Sequence, residues 1–125
     1  MFADTAAFSG FSVDDVDRAR AFYGETLGLR TSDEGPMLVL HLSGGGTVLV
    51  YPKGEDHVPA TFTVLNFPVP DVEEAVDRLV AAGVEMERYP DIPGGDEKGV
   101  HRGFGPDIAW FTDPAGNVLS VLKTD

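Results

Sequence analysis

Three histidines, one tryptophan and no cysteine set the chemical repertoire of this 125-residue chain. The absence of cysteine excludes disulfides, thiolate metal sites and a cysteine nucleophile. Imidazole is the commonest metal ligand and the usual base near neutral pH, so each histidine needs weighing. His41 stands in a strand-like run at opposite parity to Leu38, Leu40 and Leu42. His57 follows Glu55 and Asp56 in a stretch rich in Gly, Pro and charge, where a solvated loop is the ordinary reading. His101 lies near Asp96, Glu97 and Arg102 in a long insertion. Trp110 is able to stack on a planar or cationic ligand, or to fill a core. No Ser-His-Asp triad, Gly-rich phosphate loop or nucleotide fingerprint is present. Gly44–Gly46 reads as a hairpin turn, because no helix follows it.

The elements that must position these residues come in two similar series. Residues 7 to 13 read as a strand, with Phe11 and Val13 on one side and Phe8, Gly10 and Ser12 on the other. Asp15 is an N-cap; Val16, Ala19, Phe22, Tyr23 and Leu27 recur at helical spacing, and Gly28 ends the helix. A short strand over Leu29–Thr31 and a hairpin over Met37–Pro52 complete the first series, β-α-β-β-β. Lys53 to Pro59 reads as a linker. The second series has a strand over Thr61–Val69, then a helix capped by Asp71 with Glu74 completing a capping box. Val72, Ala75, Val76, Leu79 and Val80 form its apolar stripe, and Gly83 stops it. A short strand over Val84–Arg88 follows. The last hairpin pairs Ile108–Thr112 with Val118–Leu122 through a turn over Asp113–Asn117, in which Pro114 and Gly116 carry the turn chemistry.

The two series repeat, at a shift of fifty-six residues between Asp15–Ala19 and Asp71–Ala75. At a shift of seventy, Leu38–Leu42 falls on Ile108–Thr112 and Thr47–Val50 on Asn117–Ser120. A hairpin repeated in this way indicates a duplicated module. The shift grows because the second module carries an insertion, Tyr89–Pro106, and long ordered loops often serve as lids or binding loops. Its removal is expected to spare the helices and hairpins while weakening ligand binding.

Composition sets the outer limits. The apolar fraction of 42% supports one packed domain over residues 1–125, with a first module at about 5–52, the linker at 53–59 and a second module at about 60–125. The net charge of −12 opposes a phosphate backbone, so no nucleic-acid partner is expected, and it favours cationic small molecules. No apolar run approaches a membrane span, and the N-terminal residues lack the features of a signal peptide. A cytoplasmic location is the expectation.

Val13–Gly28, Pro70–Ala75 and Asp113–Ser120 together carry a resemblance to the vicinal oxygen chelate superfamily, also called the glyoxalase/bleomycin resistance protein/dioxygenase family. The resemblance covers nearly the whole chain. It implies an α+β fold of two tandem βαβββ modules that form a cup-shaped, partly open mixed β-barrel with the helices outside. It further implies a site on the concave face and, as in many members, a homodimer. Metal-dependent members place one ligand on the first and one on the last strand of each module. Carried over, those positions are Phe8, Val50, Val64 and Ser120. Only Ser120 carries an oxygen, and a neutral hydroxyl is a poor ligand for a divalent ion.

The resemblance therefore points to a member lacking the usual metal ligands and needing no cofactor. Strand parity assigns Phe8, Ser12, Val50, Val64, Asn66, Trp110, Thr112 and Ser120 to the concave face. That is an apolar, aromatic lining with a few neutral polar groups, suited to a small organic ligand, cationic or aromatic. His101 joins this set if the insertion folds over the cup, and it is then the best candidate for a general base. The expected function is sequestration of such a ligand. The alternative is a lyase, isomerase or dioxygenase-type enzyme of the same superfamily with a non-standard site.

Overall fold

A computed structural model describes residues 1–124 of the chain. Among the described residues seven strands in two sheets and two α-helices make an α+β fold, and the chain divides into compact units, Met1–Val58 and the segment from Pro59 onward.

In the first unit the strands are β1 (Ser9–Val13), β2 (Arg30–Glu34), β3 (Met37–His41) and β4 (Thr47–Pro52), arranged β1-β4-β3-β2. The Asp15 carboxylate accepts from the Asp17 and Arg18 amides, opening α1 (Val16–Arg20). A cap of this kind is worth about 1 kcal/mol. After Arg20 the helix widens into a π-helical turn, Ala21–Thr26, closed by the Leu27 amide on the Phe22 carbonyl at 2.9 Å. Helical periodicity over Asp15–Leu27 gives no sign of that widening. The wider turn accommodates two consecutive inward side chains, Phe22 and Tyr23, both buried. Gly28 then reverses the chain at a φ of +75°.

One face of this sheet is the core of the unit. Leu38 lies opposite Val50, Leu40 opposite Val48, and Phe11 beside Val50, all of them buried. The Phe11 and Tyr23 rings meet at 5.9 Å, which places this face against the helix. Each such aliphatic side chain contributes about 1.5–3 kcal/mol by leaving water. The opposite face carries Met37, Val39, His41, Thr47, Leu49 and Tyr51, all only partly buried.

The second unit holds β5 (Thr63–Val69), α2 (Val72–Ala81), β6 (Ile108–Thr112) and β7 (Val118–Lys123), its strands ordered β5-β7-β6. Asp71 caps α2 by accepting from the Glu74 amide at 3.1 Å. The strand expected over Val84–Arg88 does not form. Only Met86 bridges to Phe111, with the Glu87 amide on the Trp110 carbonyl at 2.8 Å. The outer edge of β6 is shared, because His101 exchanges backbone bonds with Ile108 at its other end.

That pairing shows how the insertion is built. Its centre is a small hairpin, with the Arg102 amide on the Gly94 carbonyl and the Asp96 amide on the Val100 carbonyl. Gly94 has a φ of +84°, and a side chain there would run into the Arg102 carbonyl. Lys98 ties the hairpin to α2 through Asp77 at 3.0 Å and Glu73 at 3.6 Å. Val100 is fully buried and His101 is 6% exposed. The insertion is thus part of the unit's packing, which argues against the expectation that its removal leaves the fold largely intact.

The internal repeat also shifts by one residue. Leu38 pairs with Val50 in the first hairpin, whereas Ala109 pairs with Val121 and Trp110 with Ser120 in the second. The two turns confirm the shift. The Leu42 amide bonds the Gly46 carbonyl as the Asp113 amide bonds the Asn117 carbonyl, each at 2.9 Å. The hairpins therefore correspond at seventy-one residues, so Ser120 matches Leu49 and Val50 matches Val121.

Candidate functional site

A one-residue change of register moves a whole strand's side chains to the other face of its sheet. Val50, assigned by parity to the ligand-binding face, is 0% exposed and packed with Phe11 and Leu38 on the helix side. It is removed from the site. Leu49 and Tyr51 occupy the helix-free face in its place, with Ser12 beside Tyr51. Phe8, 65% exposed, shares a cavity of about 260 Å³ with Glu34, Met37, Val39, Thr47 and Leu49. Two serine–histidine pairs stand in the same unit. Ser12 meets His57 Nδ1 at 2.8 Å, and Ser32 meets His41 Nε2 at 2.7 Å.

The second unit gathers most of the polar candidates. Asn66, Ser120 and Trp110 lie in one row across β5, β7 and β6. Ser120, with no exposed surface, donates its hydroxyl to Asn66 Oδ1 at 2.6 Å. The Trp110 indole donates to Thr63 Oγ1 at 3.2 Å. Thr63 is absent from the parity set because β5 carries a bulge between Thr63 and Leu65. The bulge breaks strict alternation and leaves Val64, half-buried, as the irregular residue. Thr112 lies two residues from Trp110 on the same face, opposite Val118.

Trp110 is walled by the insertion. Tyr89 meets it edge-on with centroids 5.4 Å apart, and His101 does so at 5.3 Å. His101 also places Nδ1 at 3.3 Å from the Pro93 carbonyl, so that nitrogen is the natural N–H and Nε2 the lone pair. A methyl added at Gly95 would meet the imidazole at 2.8 Å, which makes that glycine the roof over His101. Burial, with the nearby Glu87 charge as the lesser cause, pushes the Tyr89 phenol above its ordinary range. Burial alone would raise Asp96, yet bonds from the Arg102 guanidinium and the Val100 and Lys98 amides outweigh it and hold the carboxyl below its ordinary value. Residues of α2, residues 84–88 and the insertion's Glu97 and Lys98 border a hollow of about 640 Å³ that mixes apolar side chains with charges of both signs.

Metal chemistry can be tested against the residues present. In the first unit the positions that correspond to the superfamily's ligands hold Phe8 and, by the observed register, Leu49; in the second they hold Val64 and Ser120. The single oxygen is a hydroxyl already committed to Asn66. Three hydrocarbon groups and one hydroxyl are not donors that a divalent cation selects, so this set does not fit the metal. Among the described residues no three His, Asp or Glu side chains converge elsewhere.

Solved structures share this fold over more than nine-tenths of their length. TnmS3, an antibiotic binding protein from Streptomyces sp. CB03234, is 22% identical with a TM-score of 0.70, covering 98% of each chain. Lactoylglutathione lyase from Agrobacterium tumefaciens is 22% identical with a TM-score of 0.66, over 97% of this chain and 95% of that one. The fosfomycin resistance protein FosX from Listeria monocytogenes is 16% identical with a TM-score of 0.67, over 95% and 92%. A search of the curated proteins finds no match. The Glyoxalase/Bleomycin resistance protein/Dioxygenase superfamily model spans residues 5–121, and the chain belongs to that superfamily.

Proposed function

We propose that the protein binds a small organic molecule non-covalently, without a metal, on the helix-free faces of its sheets. The observation that carries this reading is Trp110. Its indole is in steeply tilted ring contact with both Tyr89 and His101, in one row with the Ser120–Asn66 pair. Small-molecule sites combine an apolar, aromatic lining with a few convergent polar groups, and this face has that composition. The polar groups are neutral and already oriented by bonds to one another. They fix a ligand's position without supplying a nucleophile or a metal. A fold shared with an antibiotic binding protein is in keeping with sequestration.

His101 bears on the enzymatic alternative. Its ring, 6% exposed, packs under Gly95 and against Trp110 and borders a cavity of about 380 Å³ lined mainly by the insertion. That packing favours a bracing role for the indole over a general base, which needs a substrate proton within hydrogen-bond reach. The test uses Trp110, the chain's one tryptophan, as reporter. A panel of aromatic antibiotics titrated in the presence of a chelator should change the indole emission saturably. Trp110→Phe, which removes the reporter and is therefore followed by calorimetric titration, should weaken binding about tenfold, the scale of one stacking contact. Binding that appears only when a divalent metal is added would defeat the reading.

A further inference from the structure

We infer that the ligand taken up by the first unit is an organic cation with an apolar body, and that Glu34 recognises its charge. The inference rests on the binding function proposed above and names the ligand class for one part of it. The cavity of about 260 Å³ has a hydrocarbon floor of Met37, Val39 and Leu49, a hydroxyl from Thr47, the Phe8 ring and a single carboxylate, Glu34. Register fixes which way these residues face. Glu34 lies opposite Met37, and Ser32 opposite Val39, so Glu34 stands on the helix-free side.

The neighbouring acid behaves differently. Asp33 lies opposite Leu38, on the core side, and is neutralised by Arg20 at 2.7 Å. Among the described residues no cationic side chain lies within ion-pair distance of Glu34. Phe8 is 65% exposed although it borders this apolar hollow. An uncommitted carboxylate and an open aromatic ring at one cavity are the two elements that hold an ammonium group, by charge and by the ring's quadrupole. The net charge of −12 adds a field that draws cations to the protein and repels anions.

The test compares two probes of one shape, phenyltrimethylammonium and the neutral tert-butylbenzene, by NMR titration at low salt. The wild-type chain should bind the cation about fivefold more tightly, the sum of a modest cation–π term and an exposed charge pair. Glu34→Gln should lower cation affinity about threefold and leave tert-butylbenzene unchanged, while Phe8→Ala weakens both. Added salt should erode the preference in the wild type. Equal binding of the two probes, unaltered by Glu34→Gln, overturns the inference while leaving the binding function intact. Failure of both probes to bind this cavity overturns the inference and removes the first unit from the proposed function.

Discussion

Asp113 is the residue on which the second hairpin depends most directly. Its carboxylate is buried and accepts from the Ala115 amide, the Asn117 amide and the Asn117 side-chain amide. Asn117 in turn accepts the Ala60 amide at 2.9 Å, so the same turn anchors the entry into β5. Asp113→Ala leaves buried donors without an acceptor and should cost about 3 kcal/mol. A thermal melt should register this as a fall of roughly 10 °C, and a fall of under about 2 °C would show that water replaces the carboxylate. This turn was legible in the sequence because its Asp, Pro, Gly and Asn each favour a particular turn position. The first module's Gly44, Gly45 and Gly46 offer no such landmark. Structurally Gly45, at a φ of +95°, is the counterpart of Gly116 at +85°. Reading Gly46 as the counterpart cost one residue of register and moved Val50 to the wrong face. Thr63 and Tyr89 were missed for other reasons. A bulge has no reliable sequence signal, and an aromatic at the start of an insertion shows nothing about the ring it will meet.

Among the elements, the helices and caps were the most readable, since Asp15 and Asp71 stand immediately before apolar stripes of helical period. The insertion was recognisable as a loop but not as a hairpin, because its backbone pairs are dictated by contacts with β6 and α2 and by no periodicity of its own. Its order depends on Asp96, which accepts from the Val100 and Lys98 amides at 2.9 Å and pairs with Arg102. Because the folded carboxyl is held below its ordinary value of 3.8, its contribution is complete well above 3.8, begins to fall there and is lost as pH drops through the lower folded value. Acidification from pH 6 to about 3 should therefore loosen the hairpin and shift Trp110 emission to the red before the helical signal falls. Asp96→Asn should show the shifted emission already at pH 6. Coincident loss of emission and helix in both chains would mean that Asp96 has no local role.

At the scale of the whole molecule, the acidic surface and the exposed aromatic residues act in opposite directions. A net charge of −12 keeps copies apart, while Phe2, Phe62 and Phe104 are each about 70% exposed. We propose that association prevails and that two copies pair in solution. Sedimentation equilibrium should give about twice the 13.4 kDa chain mass, more completely as salt screens the charge. A single 13.4 kDa species at high concentration and high salt would contradict pairing. The central claim, that an organic ligand binds on the helix-free sheet faces, is tested most directly by amide and indole NMR shifts on adding the tightest ligand of the antibiotic panel, with chelator present. Binding as proposed moves residues of a helix-free sheet face, the Trp110 indole and Asn66 side-chain amide in the second unit or Val39 and Leu49 in the first, and leaves Ala19 and Val76 on the buried sides of the helices still. Shifts confined to Val80, Val84 and Met86 beside α2, or none at all, would contradict it.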